Sequence, residues 1–428
     1  MQIPAPVLKL YNRICATKYG LLFFVIASSC ILNGFFYGMM DATSVVTDVM
    51  GTDGGFDYGL FSISTTMLLL FSGFFAVFFS YLTLKWSYYR VLRLGLVLEI
   101  LGILGFGFIA GAPSLVPMLI FSVVWGAAGG ALSYGIVFGA AQNRINHRYV
   151  PLLSAAIFTS HSAVSMLLTP FLNTALDKLG IALSFIILAA IALCTLPVIE
   201  VLKDREIEAK EEMNITRRIK QEIAEVRRFM RIIKSILMDG FFWIAILIFF
   251  SIGFMLSQAI NDAETAYYLA GAGYMIPVLI CLLNIILIAG SIILTKRLKT
   301  IDNKYQFLAI GFLCLAPLSI ISPVVPYEII LPVEILFVAG LMFLAFPLCI
   351  TMLSEKYPQG KIQVVFSLIL ISYYLGQNAD SILDGFGTFF IGGYDLHIFI
   401  GTGLIVLCSH VLFVYNKWLG AEENKGFE

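Results

Sequence analysis

The sequence predicts an all-α membrane protein, twelve transmembrane helices forming two pseudo-symmetric six-helix bundles. Three observations carry this. The 428 residues are 60% hydrophobic and only 13% charged, against about 25% charged in a soluble domain. The apolar residues gather into runs of about 20, the length that crosses a hydrocarbon core as a helix. Finally, of the 27 Lys and Arg residues, all but Lys178 fall on alternate sides of those runs. Lys and Arg accumulate in cytoplasmic loops, so the alternation orients the chain and places both termini in the cytoplasm. In lipid a single span satisfies its own backbone hydrogen bonds only as a helix. The net charge of zero excludes little, because charges here are sorted by side.

Taken in order, the first span, 20–40, follows Lys9, Arg13 and Lys18 and leads to Asp41, Asp48, Asp53 and Asp57. It lacks a small-residue cleavage pattern and is expected to remain as a span rather than a signal peptide. The second, 58–82, returns to Lys85, Arg90 and Arg93; the third, 91–111, ends in an uncharged loop. The fourth, 115–139, returns to Arg144 and Arg148. The fifth, 151–175, and sixth, 181–202, flank Lys178. The seventh, 238–260, leads out to Asp262 and Glu264, and the eighth, 267–294, returns to Lys296, Arg297, Lys299 and Lys304. The ninth, 305–325, reaches Glu328; the tenth, 329–353, returns to Lys356 and Lys361. The eleventh, 362–384, ends near Asp384, and the twelfth, 395–416, runs from Asp395 to Lys417 and Lys425.

The predicted domains are thus 1–202 and 238–428, joined by a cytoplasmic linker over 203–237. Within it Ile219, Ile223, Val226, Met230 and Ile233 recur at helical spacing. With Arg217, Arg218, Arg227, Arg228 and Arg231 near anionic headgroups, this helix suits a membrane surface; a solvated tether is the plainer reading. The halves also share traces of a repeat. Ser80-Tyr-Leu-Thr-Leu-Lys85 matches Ser291-Ile-Ile-Leu-Thr-Lys296, 211 positions on, and the segments opening at Arg148 and Lys361 align at an offset of 213.

This arrangement of six plus six spans, cytoplasmic termini, a charged central loop and basic 2–3 and 8–9 loops resembles the major facilitator superfamily. That family's 2–3 loop follows Gly-x-x-x-Asp-Arg/Lys-x-Gly-Arg-Lys. Here Ser80, Leu84, Lys85, Ser87 and Tyr89-Arg90 occupy those places, so both glycines and the Asp are missing. The 8–9 copy opens at Gly290 and keeps Lys296, Arg297 and Lys299, again without the acid. The fifth span lacks the glycine-rich element of proton-driven drug exporters, and its His161-Ser162 with Pro170 looks more like that of some solute importers. The resemblance implies two halves that enclose a central cavity and rock about a midplane site. It puts spans 1, 4, 7 and 10 on that cavity and spans 2, 5, 8 and 11 at its gates. The basic residues Lys85, Arg90, Lys296 and Arg297 would then form a cytoplasmic gate.

No Lys or Arg stands in the middle of a span, which argues against a strongly anionic substrate. Carboxyls do stand there, and each is costly unless protonated, paired or functional. Glu334 in span 10 and Asp380 in span 11 are the first candidates for proton coupling. Glu334 reads otherwise as a residue of a wet vestibule, and Asp380 as a gate hydrogen bond. Glu99 in span 3 and His161 in span 5 are candidates too, each with a structural role as the simpler alternative. Asp41, Asp239, Asp262 and Glu200 lie at span ends, where interfacial solvation suffices. Candidate substrate contacts are Asn33, Tyr37, Trp125, Tyr134, Gln258, Asn261, Asn284, Tyr374, Gln377 and Asn378, an aromatic and amide set suited to a neutral or cationic solute. The stretch from Trp125 to Ala131 reads as small-residue helix packing.

Seven cysteines without close pairing and the absence of His/Cys ligand spacing predict no disulfide, metal or cofactor. No nucleophile–base pair suggests an enzyme. The expected function is secondary active transport of a small organic solute by alternating access, coupled to protons. Two alternatives are an exporter or flippase of an amphiphilic molecule, and a transport-inactive receptor on the same scaffold. The expected setting is the plasma membrane, as a monomer whose partners are solute, proton and bilayer, with no nucleic acid.

Overall fold

A computed structural model describes residues 19–42, 58–110, 115–203, 215–269, 275–297, 301, 303–321, 327–357, 359–385, 390–391 and 394–425, with side chains over most of these. Two compact units emerge. Unit 1 comprises Met1–Tyr149, Ala156–Ser235 and Pro358–Ser367; unit 2 comprises Val150–Ala155, Ile236–Tyr357 and Leu368–Glu428.

The helices follow the apolar runs. They are α1 (Gly20–Ala42), α2 (Tyr58–Lys85), α3 (Tyr88–Ala110), α4 (Leu115–Ala131), α5 (Tyr134–Gln142), α6 (Val150–Cys194), α7 (Leu196–Val201) and α8 (Ile215–Leu237). After these come α9 (Gly240–Leu269), α10 (Met275–Arg297), α11 (Lys304–Ile321), α12 (Tyr327–Phe343), α13 (Ile350–Lys356), α14 (Gln359–Gly385) and α15 (Leu396–Lys425). A two-residue antiparallel pairing sets Phe390 against Asp395 just before α15. Nine described helices are long and apolar enough to cross a membrane, or ten with one bent pair. The all-α, many-span reading therefore stands.

Two expected spans, the fourth and the tenth, have inner structure that hydropathy does not show, and the fifth and sixth join across a kink. The fourth is two helices, α4 and α5, broken where Ser133 adopts extended backbone (φ −58°, ψ 154°). The tenth widens into a π segment over Leu344–Cys349 around Pro347, whose ring cannot sit in a regular α-turn and removes a donor. The fifth and sixth run on as α6 but kink at Gly180, which takes φ 73°. That region costs residues with a Cβ and suits glycine.

In unit 1, α2 and α3 both pack along α4, and the small residues of the Trp125–Ala131 stretch explain how. A Cβ on Gly126 would lie 2.7 Å from Leu68 O, and one on Gly130 only 2.5 Å from Phe75 Cβ. On the facing side Gly102 of α3 leaves room for Trp125. In unit 2, α15 packs along α11 and α9.

Glycine also seats each unit's opening helix on a later one. In unit 1 a Cβ on Gly38 of α1 would meet His161 O at 2.6 Å, on α6. In unit 2 a Cβ on Gly253 of α9 would meet Tyr373 O at 2.2 Å, and one on Gly376 of α14 would meet Phe250 O at 2.2 Å. Backbones in such contact leave no room for a side chain. Gly38→Val and Gly376→Val should each cost about 1–3 kcal/mol of stability by overpacking, read as a lowered thermal unfolding midpoint in detergent. Gly403→Ala, whose Cβ would meet nothing within 4 Å, should not lower it.

Candidate functional site

Breaking a membrane helix frees backbone carbonyls, and the polar side chains of this protein gather where that happens. At the α4–α5 break, Asn33 of α1 donates its amide N–H to Leu132 O at 3.2 Å. Four residues on, the Tyr37 hydroxyl lies 3.2 Å from Ser72 Oγ. Just past the break Tyr134 stacks on Phe138 and meets Phe366 edge-on, with centroids 5.6 and 6.0 Å away. In unit 2, within the π segment, Phe346 O accepts the Ser154 hydroxyl and Pro347 O accepts Thr351 Oγ1. The breaks at Leu132 and Leu344 stand 212 positions apart in the sequence, between the two repeat offsets of 211 and 213.

Around the π segment, Phe346 meets Phe249 and Tyr373 edge-on at 5.5 and 6.0 Å. Tyr373 in turn touches Tyr374, and Gln377 donates to the Tyr373 hydroxyl at 3.3 Å. The predicted contacts Tyr374 and Gln377 therefore share one patch on α14 with Tyr373. Asn284 is half-buried on α10, apart from these bonds. Glu334 lies in α12, Asp380 and Asn378 in α14, Gln258 and Asn261 in α9; their side chains, with those of Asp41 and Asp262, fall outside the described residues.

Several expected roles change. Trp125 is 1% exposed, wedged between Phe36 and Phe106 with Gly102 beneath it. It faces α3 rather than open space, and its indole N–H has no partner among the described residues. His161 has its Nδ1 at Phe158 O and its Nε2 at Ser162 Oγ, 3.2 Å away. Both ring nitrogens are thus occupied by its own helix. Glu99 is 2% exposed, and its Oε1 also lacks a described partner. It stands on the face of α3 marked by Gly95 and Gly102, which pack on Leu132 and Trp125. Glu99 therefore points into the α3–α4 seam and away from lipid, and a bare carboxylate there would lose its hydration without compensation.

The basic gate residues are not where the contacts concentrate. Lys85 is half-buried, while Arg90, Lys296 and Arg297 are exposed at helix ends. The buried contacts of the 2–3 region run through uncharged side chains, while Arg93 pairs with Glu200 at its exposed edge. Within unit 1 Tyr88 donates to Gln363 Oε1, and Gln363 Nε2 donates to Thr83 Oγ1 at 2.8 Å. Ser80 Oγ pairs with Ser367 Oγ at 2.8 Å, and Ser367 also reaches Ala76 O. Gln363 is fully buried. Sequence reasoning passed over it, although Ser367 sits opposite Ser154 in the repeat and gave a pointer.

Two acids assigned to plain interfacial solvation are in fact partnered. Glu200 accepts from Arg93 at 3.3 Å and from Tyr89. Asp239 accepts from Lys356 Nζ (2.7 Å), Tyr357 Oη (2.8 Å) and the Phe241 N–H (2.9 Å). Burial pushes the Asp239 carboxyl up, but these donors outweigh it and hold the group below the ordinary carboxylate range.

Comparison with known proteins agrees with this architecture. A sequence profile of the Major Facilitator Superfamily matches residues 20–378. The chain is similar to the crystal structure of a Major Facilitator Superfamily transporter, FucP, in the outward conformation. The TM-score is 0.67 at 15% identity, over 92% of this chain and 98% of that one; a likeness at that identity is one of fold. No curated protein matches the chain in sequence.

The Asp239 network yields a pH test. A depressed carboxyl stabilises the fold at pH above its unfolded value, and that contribution is lost as pH falls through the folded one. Thermal unfolding in detergent should show the midpoint falling on acidification through this window. Asp239→Asn should start lower at neutral pH and lose that part of the acid dependence.

Proposed function

The chain belongs to the Major Facilitator Superfamily and is a multi-pass secondary transporter; we propose that it moves a small organic solute, neutral or cationic rather than strongly anionic, by proton-coupled alternating access. The observation that carries this reading is the sorting of charge along the helices. The described cations keep to the ends of the spans, whereas Glu99, Glu334 and Asp380 stand within α3, α12 and α14. A cavity for phosphate-like or dicarboxylate anions calls for a fixed cation. Isolated carboxyls instead favour a proton or an organic cation.

In this reading Glu334 and Asp380 take up and release the proton. Asp380 follows Gln377 and Asn378 on α14, the helix that carries the Tyr373–Tyr374 patch. Within unit 2 those aromatic rings and amides with Gln258, Asn261 and Asn284, and within unit 1 Asn33, Tyr37 and Tyr134, provide stacking and hydrogen bonds for the solute. Glu99 serves as a third protonatable group in the α3–α4 seam, where Trp125 packs on Gly102. His161 is a positioning residue, its nitrogens bound to Phe158 and Ser162. The protein acts in the plasma membrane with both termini cytoplasmic, as a monomer without cofactor.

The test begins with a thermal-shift screen of neutral and cationic organic solutes to find a ligand. Transport of that ligand is then measured in proteoliposomes. Glu334→Gln and Asp380→Asn should abolish accumulation driven by an inward proton gradient while leaving solute counterflow intact. Unchanged pH-gradient dependence in both variants sinks the coupling assignment. Stabilisation by anionic solutes alone sinks the substrate class.

A further inference from the structure

The linker helix α8 carries a surface that transport does not use. Among its described side chains, Phe229 meets the Tyr81 ring at 5.0 Å and Ile236 is fully buried. Ser235 accepts from Lys361 Nζ at 3.1 Å. At about 100° per residue, Phe229 and Ile236 mark one docked strip. Beside it lies a second apolar strip of Val226, Met230 and Leu237, and all three are exposed, Met230 at 58%. Arg227, Arg231 and Lys234 follow on the far side of that strip, also exposed. Around the helix the order is therefore protein contact, bare apolar strip, cations.

We propose that this bare strip and its cations dock on an anionic lipid surface, with Val226, Met230 and Leu237 at the acyl boundary and Arg227, Arg231 and Lys234 among the headgroups. Three features single out lipid. No acidic residue occurs from Val226 to Leu237, so the strip is complementary to negative charge along its whole length. The apolar span α9 opens at Gly240, which keeps the strip at the membrane edge. Met238 is 77% exposed at the junction, and Trp243 donates its indole N–H to Leu237 O at 2.8 Å. An amphipathic aromatic tying the end of a surface helix to the start of a span suits the headgroup layer. An acidic soluble protein offers no reason for that apolar continuity into α9.

Hydrogen exchange by mass spectrometry tests this on the full chain in nanodiscs, of phosphatidylcholine alone or mixed with phosphatidylglycerol. Amides of 226–237 should exchange several-fold more slowly in the anionic discs, and high salt should shrink the difference. A triple variant, Arg227→Gln, Arg231→Gln and Lys234→Gln, leaves Phe229 and Ile236 in place and should erase it. Met230→Asp should weaken it. Equal exchange in both discs, or a lipid difference that survives in the triple variant, overturns the proposal. So does protection that ignores lipid and appears only when polyglutamate is added, which would assign the strip to an acidic polypeptide.

Discussion

Within a bilayer no water waits to satisfy a broken backbone, and this constraint governs where polar side chains occur in the protein. Helix α4 stops before Ser133, and Leu132 O accepts from Asn33. In the π segment around Pro347, Phe346 O accepts from Ser154. Each break thus calls for a donor from another helix, and the donor then fixes how that helix sits. The aromatic groups around the breaks, Tyr134 with Phe138 in unit 1 and Phe346 with Tyr373 in unit 2, pack onto backbone that is already anchored. A midplane site in such a fold is built on irregular backbone, because only there does a membrane helix present carbonyls and amides sideways.

The 2–3 region shows a different economy. Where the family's pattern places an Asp and a glycine, this chain has Leu84 and Ser87. Its buried contacts run through Ser80, Thr83, Tyr88, Gln363 and Ser367, all uncharged, with the Arg93–Glu200 pair at the exposed edge. Neutral hydrogen bonds contribute about 0.5–1.5 kcal/mol each and involve no ion to desolvate. Salt does not screen them as it screens the Lys304–Glu355 and Lys356–Asp239 pairs nearer the water.

Much of this was legible in the residues. The apolar runs locate most helix ends closely, but the seventh span runs on to Leu269, the eighth begins at Met275 and the last continues to Lys425; the small residues after Trp125 announce close packing that α2 and α3 confirm. The roles of single residues were less so. Trp125 and Glu99 sit on helices whose hydropathy is the same all round, so nothing in the order of residues says which face meets a neighbour. Asp239 and Glu200 looked solvated because their cations, Lys356 and Arg93, lie 117 and 107 positions away. Pro347 signals a break, but only packing decides that it becomes a π turn. Ser133 carries no such signal. Ser154 and Ser367 fell on aligned positions of a faint repeat, and that alignment alone hinted that both would bond to another helix.

The makeup of unit 1 bears on how the chain is made. It is assembled from residues up to 235 together with Pro358–Ser367, and that late stretch delivers Gln363, Phe366 and Ser367 to partners on α2, α3 and α5. Synthesis proceeds from the N-terminus, so Thr83, Tyr88 and Tyr134 enter the bilayer long before their partners exist. Until then Thr83 keeps its bond to Ser80 O and Tyr134 its stack on Phe138, both among earlier residues of the same unit. The first six spans are therefore a nascent intermediate with an open seam, and the unit closes only after more than a hundred further residues have followed it into the membrane.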